Sequence, residues 1–367
     1  MIDSSGTPAY AHRCDRAVVA ASTQKIIVAA AALRYLGAAY RFHTQLASVE
    51  PITAGALPSD LWLVGSGDPV LTSEDLRGGV KIFGRTGVQS IGGVVRVDAS
   101  ALSGPERNPL WDPADANSGF AAATSGISLD QDTIEFHVHP SAPGTPARIE
   151  LKPRSSIVTY SGTVLTVPAG YSSYVTINPT ASQNVFVVQG KIAASEGEAI
   201  YYLPVSRIPN YAGDVLESML EERNIATRGR SGTGIAPAGM HVFWDHRSPP
   251  MRFIVSKMLY ESNNHIAEQL LRKIGHAQGG TGDDAHGAAA EYAYLRSTGV
   301  PVPLLRLVDG SGLADSNRVA AVTLATLLAR AELTPGGNQL YLALPRGGIE
   351  GTLRHYRFST ALGRVRA

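Results

Sequence analysis

Between residues 46 and 245 the hydrophobic positions come in short runs, separated by clusters of Gly, Pro, Ser and Asp. This pattern is typical of strands joined by turns. The segment 133–139 is the clearest case, because Ile134, Phe136 and Val138 alternate with polar residues. Such alternation predicts a strand with one buried face and one face in water. The middle of the chain is therefore predicted to be mostly β.

Helical periodicity appears on both sides of this region. Ser22 precedes an alanine-rich stretch that ends at Gly37, which predicts a helix that begins at Ser22. After residue 245 apolar residues recur at helical spacing as far as residue 274, and a later helix is predicted over residues 318 to about 333. Helical segments thus flank the β-rich middle.

The chain has 367 residues, more than one compact core usually organises. Each helical piece alone is short of a full core. We therefore expect residues 1–45 and 246–367 to form one domain, split by residues 46–245, an inserted β-rich region of one or two subdomains. The predicted fold class is α/β (α+β).

Charge and apolar run lengths exclude several classes of protein. Lys plus Arg number 32 against 31 Asp plus Glu, which leaves no basic excess for a phosphate backbone, so no nucleic acid partner is predicted. The longest apolar run, 26–33, is shorter than the roughly 18 to 20 residues of a membrane span, so no transmembrane segment is predicted. The N-terminus shows no basic segment followed by an apolar one, so no signal peptide is predicted either.

The first candidate for chemistry is Ser22, which is followed by Lys25 at the start of the predicted helix. Residues three apart lie on one helix face, so the two side chains can meet. A serine hydroxyl becomes a useful nucleophile when a base lies within hydrogen-bond reach, and a neutral lysine can be that base. The alternative is that Ser22 only caps the helix and Lys25 is a solvated residue of its first turn.

The second candidate is the sequence Ser262-Asn263-Asn264, a polar corner between two amphipathic helical stretches. A second hydroxyl can relay a proton to a leaving amine, and an amide can hold a lysine or a substrate backbone. The alternative is capping of the following helix, for which Ser and Asn are favoured residues.

Five segments in order resemble the D-alanyl-D-alanine carboxypeptidase/endopeptidase family of class C low-molecular-mass penicillin-binding proteins. They span most of the chain and are residues 21–36, 40–44, 61–69, 262–268 and 308–313. The motifs S-x-x-K and S-D-N belong to the signature of penicillin-binding proteins and class A β-lactamases, and residues 22–25 and 262–264 resemble them in that order. The resemblance implies a serine transpeptidase/β-lactamase-like domain that carries a large insertion between its first two motifs.

The resemblance also implies roles for the candidate residues. Ser22 would form the acyl-enzyme and Lys25 would be its general base, while Ser262 would pass on the proton and Asn264 would bind substrate. The substrates would be peptidoglycan peptide stems that end in D-alanyl-D-alanine, and β-lactam antibiotics would acylate the same serine. Asn263 stands where the family more often has aspartate. No metal and no cofactor are expected.

The third family motif, K-T-G, does not occur in this sequence. Similar proteins continue into it directly after segments like 351–353 and 363–367, and they also have a signal peptide and further elements before the first motif. The chain is therefore expected to be a fragment, truncated at both ends, of a parent protein that is periplasmic or otherwise extracytoplasmic. Whether the chain is active without that strand stays open.

Two alternatives to the carboxypeptidase remain open. A β-lactamase or esterase could use the same site, and a non-catalytic peptidoglycan-binding or scaffold protein could retain the fold. A zinc site at His137 and His139 is a further alternative, because both lie on one face of the predicted strand. With no Cys or third His close by in sequence, an exposed strand face is the favoured prediction.

Overall fold

The structure is a computed structural model, and it describes residues 10–121, 123–331, 336–355 and 366. Its helices are α1 (Lys25–Tyr35), α2 (Ser73–Gly84), α3 (Ile208–Glu221), α4 (Met251–Glu261), α5 (Asn264–Ala277), α6 (Asp284–Ser297), α7 (Ala321–Ala331) and α8 (Gly337–Ala343). Its strands are β1 (Ala17–Val18), β2 (His43–Ser48), β3 (Ala56–Leu57), β4 (Leu61–Gly65), β5 (Ser90–Ile91), β6 (Val95–Asp98), β7 (Thr133–His139), β8 (Arg148–Lys152), β9 (Thr159–Val167), β10 (Tyr174–Pro179), β11 (Val185–Ala193), β12 (Ala199–Pro204), β13 (Gly232–Thr233), β14 (His241–Arg247) and β15 (Val319–Ala320).

The strands form one larger sheet and several small ones. The larger sheet has the order β13-β6-β4-β2-β14, and it joins strands from both ends of the β-rich region. Two three-stranded sheets have the orders β12-β7-β8 and β10-β11-β9. The short pairs β1-β15 and β3-β5 complete the pairing within the described residues. The fold class predicted from the sequence, a mixed α/β protein with a β-rich insertion, is confirmed.

The helix α1 lies at the centre of the helical core. All its residues from Ile27 to Leu33 are buried, and they pack with apolar side chains of α4, α5, α6, α7 and α8. Five of these buried residues are alanine or valine, whose small side chains allow the neighbouring helices to approach closely. This burial on all sides holds the N-terminal end of α1, and with it Lys25, in a fixed position.

The second large core lies between the five-stranded sheet and helices α2 and α3. Leu46, Leu61 and Val95 contribute from the sheet, and Phe83 and Leu216 contribute from the two helices. The two largest buried clusters thus lie within residues 27–42 with 251–343 and within residues 46–225, while a small cluster of Trp111, Ala121 and Ala314 joins the two ranges. This separation supports the predicted domain division, which stays a prediction.

The helices α2 and α3 lie in the region that the sequence predicted to be mostly β. The α2 sequence carries three glycines, which weaken the helical pattern. Gly79 is required there, because an added Cβ would lie 2.6 Å from the indole of Trp244 on β14. A capping box at Thr72, whose hydroxyl accepts from the backbone N–H of Asp75, starts the helix.

The strand predicted over residues 133–139 is confirmed as β7, and Ile134, Phe136 and Val138 are buried as expected. The prediction of an exposed face for the histidines is wrong for His137, which is buried. Its ring contacts Glu135 on the same strand and Glu198 in the turn before β12. The last predicted helix begins at 321, three residues later than expected, and its predicted end near 333 lies outside the described residues. Among the described helices, none is both long and apolar enough to cross a membrane.

Candidate active site

The serine and lysine of the S-x-x-K sequence meet at the start of α1. Residues Ala21–Gln24 form a turn of 3₁₀-helix, and α1 continues from it at Lys25. Residues three apart eclipse each other in 3₁₀ geometry, so their side chains stack. The Lys25 Nζ lies 2.9 Å from the Ser22 Oγ. Ser22 is exposed and Lys25 is buried, so an accessible hydroxyl rests on a buried amine.

Two further oxygens hold the Lys25 amine. The Asn264 Oδ1 lies 2.6 Å from Lys25 Nζ, and the backbone carbonyl of Ser311 lies 2.9 Å from it. Burial lowers the pKa of Lys25 to about 8, although the carboxylates of Glu268 and Asp309 oppose this shift. Near neutral pH a useful fraction of Lys25 is therefore uncharged and able to accept a proton.

The Ser262-Asn263-Asn264 sequence forms the corner between α4 and α5. Ser262 ends α4 with φ of 56°, a left-handed conformation that turns the chain sharply. Asn263 caps α5, because its Oδ1 accepts from the backbone N–H of Ile266 at 3.0 Å. Asn264 is then the first residue of α5, which directs its side chain to Lys25, and its Nδ2 donates to the Phe120 carbonyl at 3.0 Å.

The turn 308–313 supplies the carbonyl of Ser311, and a buried carboxylate on α5 holds that turn. The Glu268 Oε1 accepts from the backbone N–H of Ser311 at 2.7 Å and from that of Gly310 at 3.1 Å. Burial, and then the nearby Asp309 carboxylate, raise the pKa of Glu268 to about 8. Glu268 thus acts on Lys25 in two ways, through its charge where it is ionised and through the position of the Ser311 carbonyl.

A glycine lets the same turn pack directly against the residue before the serine. Gly312 has φ of 83°, and a Cβ added there would lie 2.1 Å from the Ala21 carbonyl oxygen. Ala21 itself has φ of 46°, an uncommon left-handed conformation for alanine. Such a conformation costs about 1 to 3 kcal/mol and persists only where surrounding contacts enforce it. The contact with Gly312 fixes the chain at Ser22.

Beneath this turn Asp309 is fully buried and accepts hydrogen bonds from several elements. Its donors include the indole N–H of Trp111 at 2.9 Å and the Asn317 Nδ2 at 2.8 Å. The Gln24 Nε2 donates to the Asp309 backbone carbonyl. Asp309 therefore links the turn to α1 and to Trp111, which comes from the region 46–245.

The structure brings three of the four predicted site residues together, namely Ser22, Lys25 and Asn264. Ser262 lies two residues before Asn264, and among the described residues its hydroxyl makes no hydrogen bond. Sequence reasoning missed the parts played by Glu268 and Asp309, although both lie in segments that carry the family resemblance. One sequence feature could have indicated Glu268: it is an acidic residue on the apolar face of a predicted helix. In the structure it is as buried as its neighbours on α5.

Comparison with solved structures defines the class of fold. Over 96% of this chain, the fold matches 78% of the chain of penicillin binding protein 4 (dacB) from Haemophilus influenzae, with a TM-score of 0.81 and 23% identity. A structure of the same Haemophilus protein complexed with a novel β-lactam matches with a TM-score of 0.74 and 22% identity, and covers 96% of this chain and 77% of that one. The fold is that of a penicillin-binding protein.

The sequence comparison defines the family. The profile of the D-Ala-D-Ala carboxypeptidase 3 (S13) family matches residues 3–367, and the chain belongs to that family. The D-alanyl-D-alanine carboxypeptidase of an Actinomadura species is 29% identical over 98% of this chain and 69% of its own length. The corresponding DacB enzyme of Haemophilus influenzae is 24% identical over 92% of this chain and 71% of its own. The predicted class, a serine-type D-Ala-D-Ala carboxypeptidase of the penicillin-binding type, is confirmed.

Proposed function

We propose that Ser22 is the nucleophile of this carboxypeptidase and that Lys25 is its general base. The observation that carries the proposal is the 2.9 Å contact between an exposed Ser22 hydroxyl and a buried Lys25 amine whose pKa is lowered to about 8. A serine whose partner lysine is in part uncharged near neutral pH is the activated nucleophile that acyl transfer needs.

In the proposed reaction the Ser22 Oγ attacks the carbonyl of the penultimate D-alanine, and its proton passes to Lys25. The bond between that carbonyl carbon and the terminal D-alanine nitrogen then breaks, and the amine leaves with a proton. Water hydrolyses the resulting ester and restores the Ser22 hydroxyl. The backbone N–H of Ser22 stabilises the oxyanion of each tetrahedral intermediate.

Asn264 and Ser262 assist this cycle. Asn264 positions Lys25, because the amide oxygen lies 2.6 Å from the amine, and the proposed additional role is to orient the substrate peptide. Ser262, at the corner between α4 and α5, relays the proton from Lys25 to the leaving amine. Ser262 ends α4 in a left-handed turn, two residues before Asn264.

The proposed partners are peptidoglycan peptide stems and β-lactam antibiotics, both of which present a carbonyl to Ser22. Peptidoglycan lies outside the cytoplasmic membrane, so we place the parent protein in the periplasm or another extracytoplasmic compartment. The proposed domain division, 1–45 with 246–367 and 46–245 as an insertion, leaves the catalytic groups in the first unit, while Trp111 and Phe120 reach the site from the second.

The test of this function is a covalent adduct on one serine. We expect incubation with a fluorescent penicillin to add one penicilloyl group, found by intact mass and by peptide mapping on the peptide that contains Ser22. The Ser22→Ala variant should lose the adduct entirely. The matched Thr23→Ala variant, which removes the adjacent exposed hydroxyl, should keep it.

The assay is run on this chain and on the longest natural form of the protein, since this sequence contains no K-T-G segment. An adduct on another residue, or none in either protein, overturns the assignment of Ser22. The lifetime of the adduct separates two enzymes on this fold: a long-lived adduct marks a penicillin-binding carboxypeptidase, and rapid turnover of the penicillin marks a β-lactamase.

The pH dependence of acylation tests the role of Lys25. The base must be neutral, so the acylation rate should rise with pH and level off above the pKa of about 8, falling about tenfold per pH unit well below it. Glu268→Gln keeps one oxygen for the turn and removes the carboxyl group whose ionised form raises the pKa of Lys25. Because the pKa of Glu268 is itself raised to about 8, that charge acts mainly in the alkaline part of the profile. The profile of this variant should therefore shift to lower pH, while the exposed Glu261→Gln should leave the profile unchanged. A wild-type rate that falls as the pH rises through about 8 contradicts the proposal.

A further inference from the structure

The outer face of the β8-β7-β12 sheet carries a cluster of histidines and glutamates far from the serine in sequence. His137 and His139 lie two residues apart on β7 and therefore on one face. Glu150 on β8 stands directly opposite His137 in the antiparallel register. Glu198 comes immediately before β12, and Glu135 lies one position further along the same face of β7.

The donor atoms of three of these residues converge. One nitrogen each from His137 and His139 and one carboxylate oxygen from Glu198 all lie within 4.8 Å of one another. The Glu198 Oε1 is 2.5 Å from the His137 Nδ1 and 3.4 Å from the His139 Nε2. Two ligand atoms at about 2.0 to 2.2 Å from a tetrahedral Zn²⁺ lie about 3.3 to 3.6 Å apart. The His139–Glu198 pair already has this spacing, whereas the His137–Glu198 pair is hydrogen-bonded directly and would lengthen by about 1 Å to admit the ion.

One of these donor atoms lacks a hydrogen-bond partner. The His139 Nε2 is shielded from solvent, and no hydrogen bond to it forms within the described residues. The side chain of His137 is only 7% exposed. A buried ring nitrogen without a partner is costly in a folded protein, and a bound cation would satisfy it.

We propose that His137 Nδ1, His139 Nε2 and a Glu198 carboxylate oxygen form a binding site for Zn²⁺. Two imidazoles and a carboxylate form a donor set that suits zinc, and three protein ligands leave a fourth position for water. The nearest further carboxylate is Glu150, whose Oε2 is 3.8 Å from the His139 Nε2 but is already paired with Arg148 at 3.0 Å.

The surroundings of His137 match those of a metal-binding histidine. Its other ring nitrogen, Nε2, lies 2.6 Å from the Glu135 Oε2. A carboxylate on the second nitrogen fixes the tautomer and raises the basicity of the ligating nitrogen, which is a common arrangement around zinc. The chain thus supplies an outer carboxylate, Glu135, in addition to the ligands.

The proposed metal would be structural. It would tie the turn between β11 and β12, which holds Glu198, to the central strand β7, and these segments lie 59 or more residues apart in sequence. The alternative without a metal is a doubly protonated His137 that bridges Glu135 and Glu198 as an ion pair. The metal site and the ion pair differ in one measurable property, because only the metal site binds one zinc ion per chain.

The experiment is equilibrium dialysis of chelator-treated, untagged protein against ZnCl₂ alone, followed by measurement of zinc per chain. We expect one zinc per wild-type chain at micromolar free zinc. We also expect zinc to raise the melting temperature above that of the metal-free protein. His139→Gln and Glu198→Gln should each weaken binding by at least about tenfold, and Glu135→Gln by about 10- to 100-fold with the coordination retained. The exposed His241→Gln should bind as the wild type does.

Circular dichroism checks whether each variant is folded. Where a variant is not folded, the Co²⁺ spectrum of the wild-type protein tests the site instead. Intense visible bands of tetrahedral Co²⁺, removed by one equivalent of zinc, support the site. Weak bands of octahedral Co²⁺, no stoichiometric zinc in the wild type, or equal zinc in wild type and His139→Gln would each overturn it. The result is independent of Ser22, because acylation by penicillin is measured separately.

Discussion

Lys25→Met is expected to acylate with penicillin at between about one-hundredth and one ten-thousandth of the wild-type rate, because positioned general bases contribute about 10² to 10⁴ in rate. Methionine keeps the length and apolar stem of lysine, so it fits the buried space beside α1. It provides neither a base for Ser22 nor a donor for Asn264. The measurement is the second-order rate constant for acylation at a pH above 8.

Two companion variants separate the base from the charge and from the fold. Lys25→Arg keeps a positive charge but cannot be deprotonated, so it should be about as slow as the methionine variant. Arg34→Met, at the exposed far end of α1, should react at the wild-type rate. If Lys25→Met stays within tenfold of the wild type while melting normally, Lys25 is not the base.

The fold was predictable from sequence where each segment carries its own signal. The alternation at Ile134, Phe136 and Val138 gave β7 with its correct bounds, since period-two burial is a local property. The helix α2 was not predictable in this way. Its Gly79 is needed because the Trp244 side chain packs against it, and Trp244 is 165 residues away in sequence.

The candidate site divides along the same line. Ser22 and Lys25 are three residues apart, so local geometry predicts their contact. The contact between Lys25 and Asn264 spans 239 residues, and the sequence indicated it only through the general ability of an amide to hold a lysine. The bonds from Glu268 to the turn at Ser311, and the cluster of His137 with Glu198, join segments that no local pattern connects.

The site is therefore built as a layered arrangement around Lys25. The serine is accessible, the lysine beneath it is buried, and below them lie the carboxylates of Glu268 and Asp309. Each layer constrains the one above: Glu268 holds the turn whose Ser311 carbonyl contacts Lys25, and Lys25 contacts Ser22. A substitution of a residue in the lowest layer should therefore lower both the stability of the protein and the rate of acylation of Ser22.

Asp309→Ala is expected to lower the free energy of unfolding by at least about 4 kcal/mol, because a buried donor left unpaired costs about 1 to 3 kcal/mol and several would be left. The Asp309 carboxylate accepts from the Trp111 indole, from the backbone N–H groups of Gly312 and Ala314 at 2.9 and 2.7 Å, and from the Asn317 amide. Alanine satisfies none of these donors, and the space is closed to bulk water.

Denaturant unfolding of wild type and variant measures this loss, with the exposed Asp315→Ala as the matched control from the same turn, expected within about 0.5 kcal/mol of the wild type. Asp309→Asn keeps one accepting oxygen but places an amide N–H₂ against N–H donors, so it should fall between the two. Because the turn carries the Ser311 carbonyl, the variants should rank in the same order by acylation rate as by stability, with Asp309→Ala the slowest. A loss below about 1 kcal/mol in Asp309→Ala would mean that water replaces the carboxylate and that this layer does not hold the site.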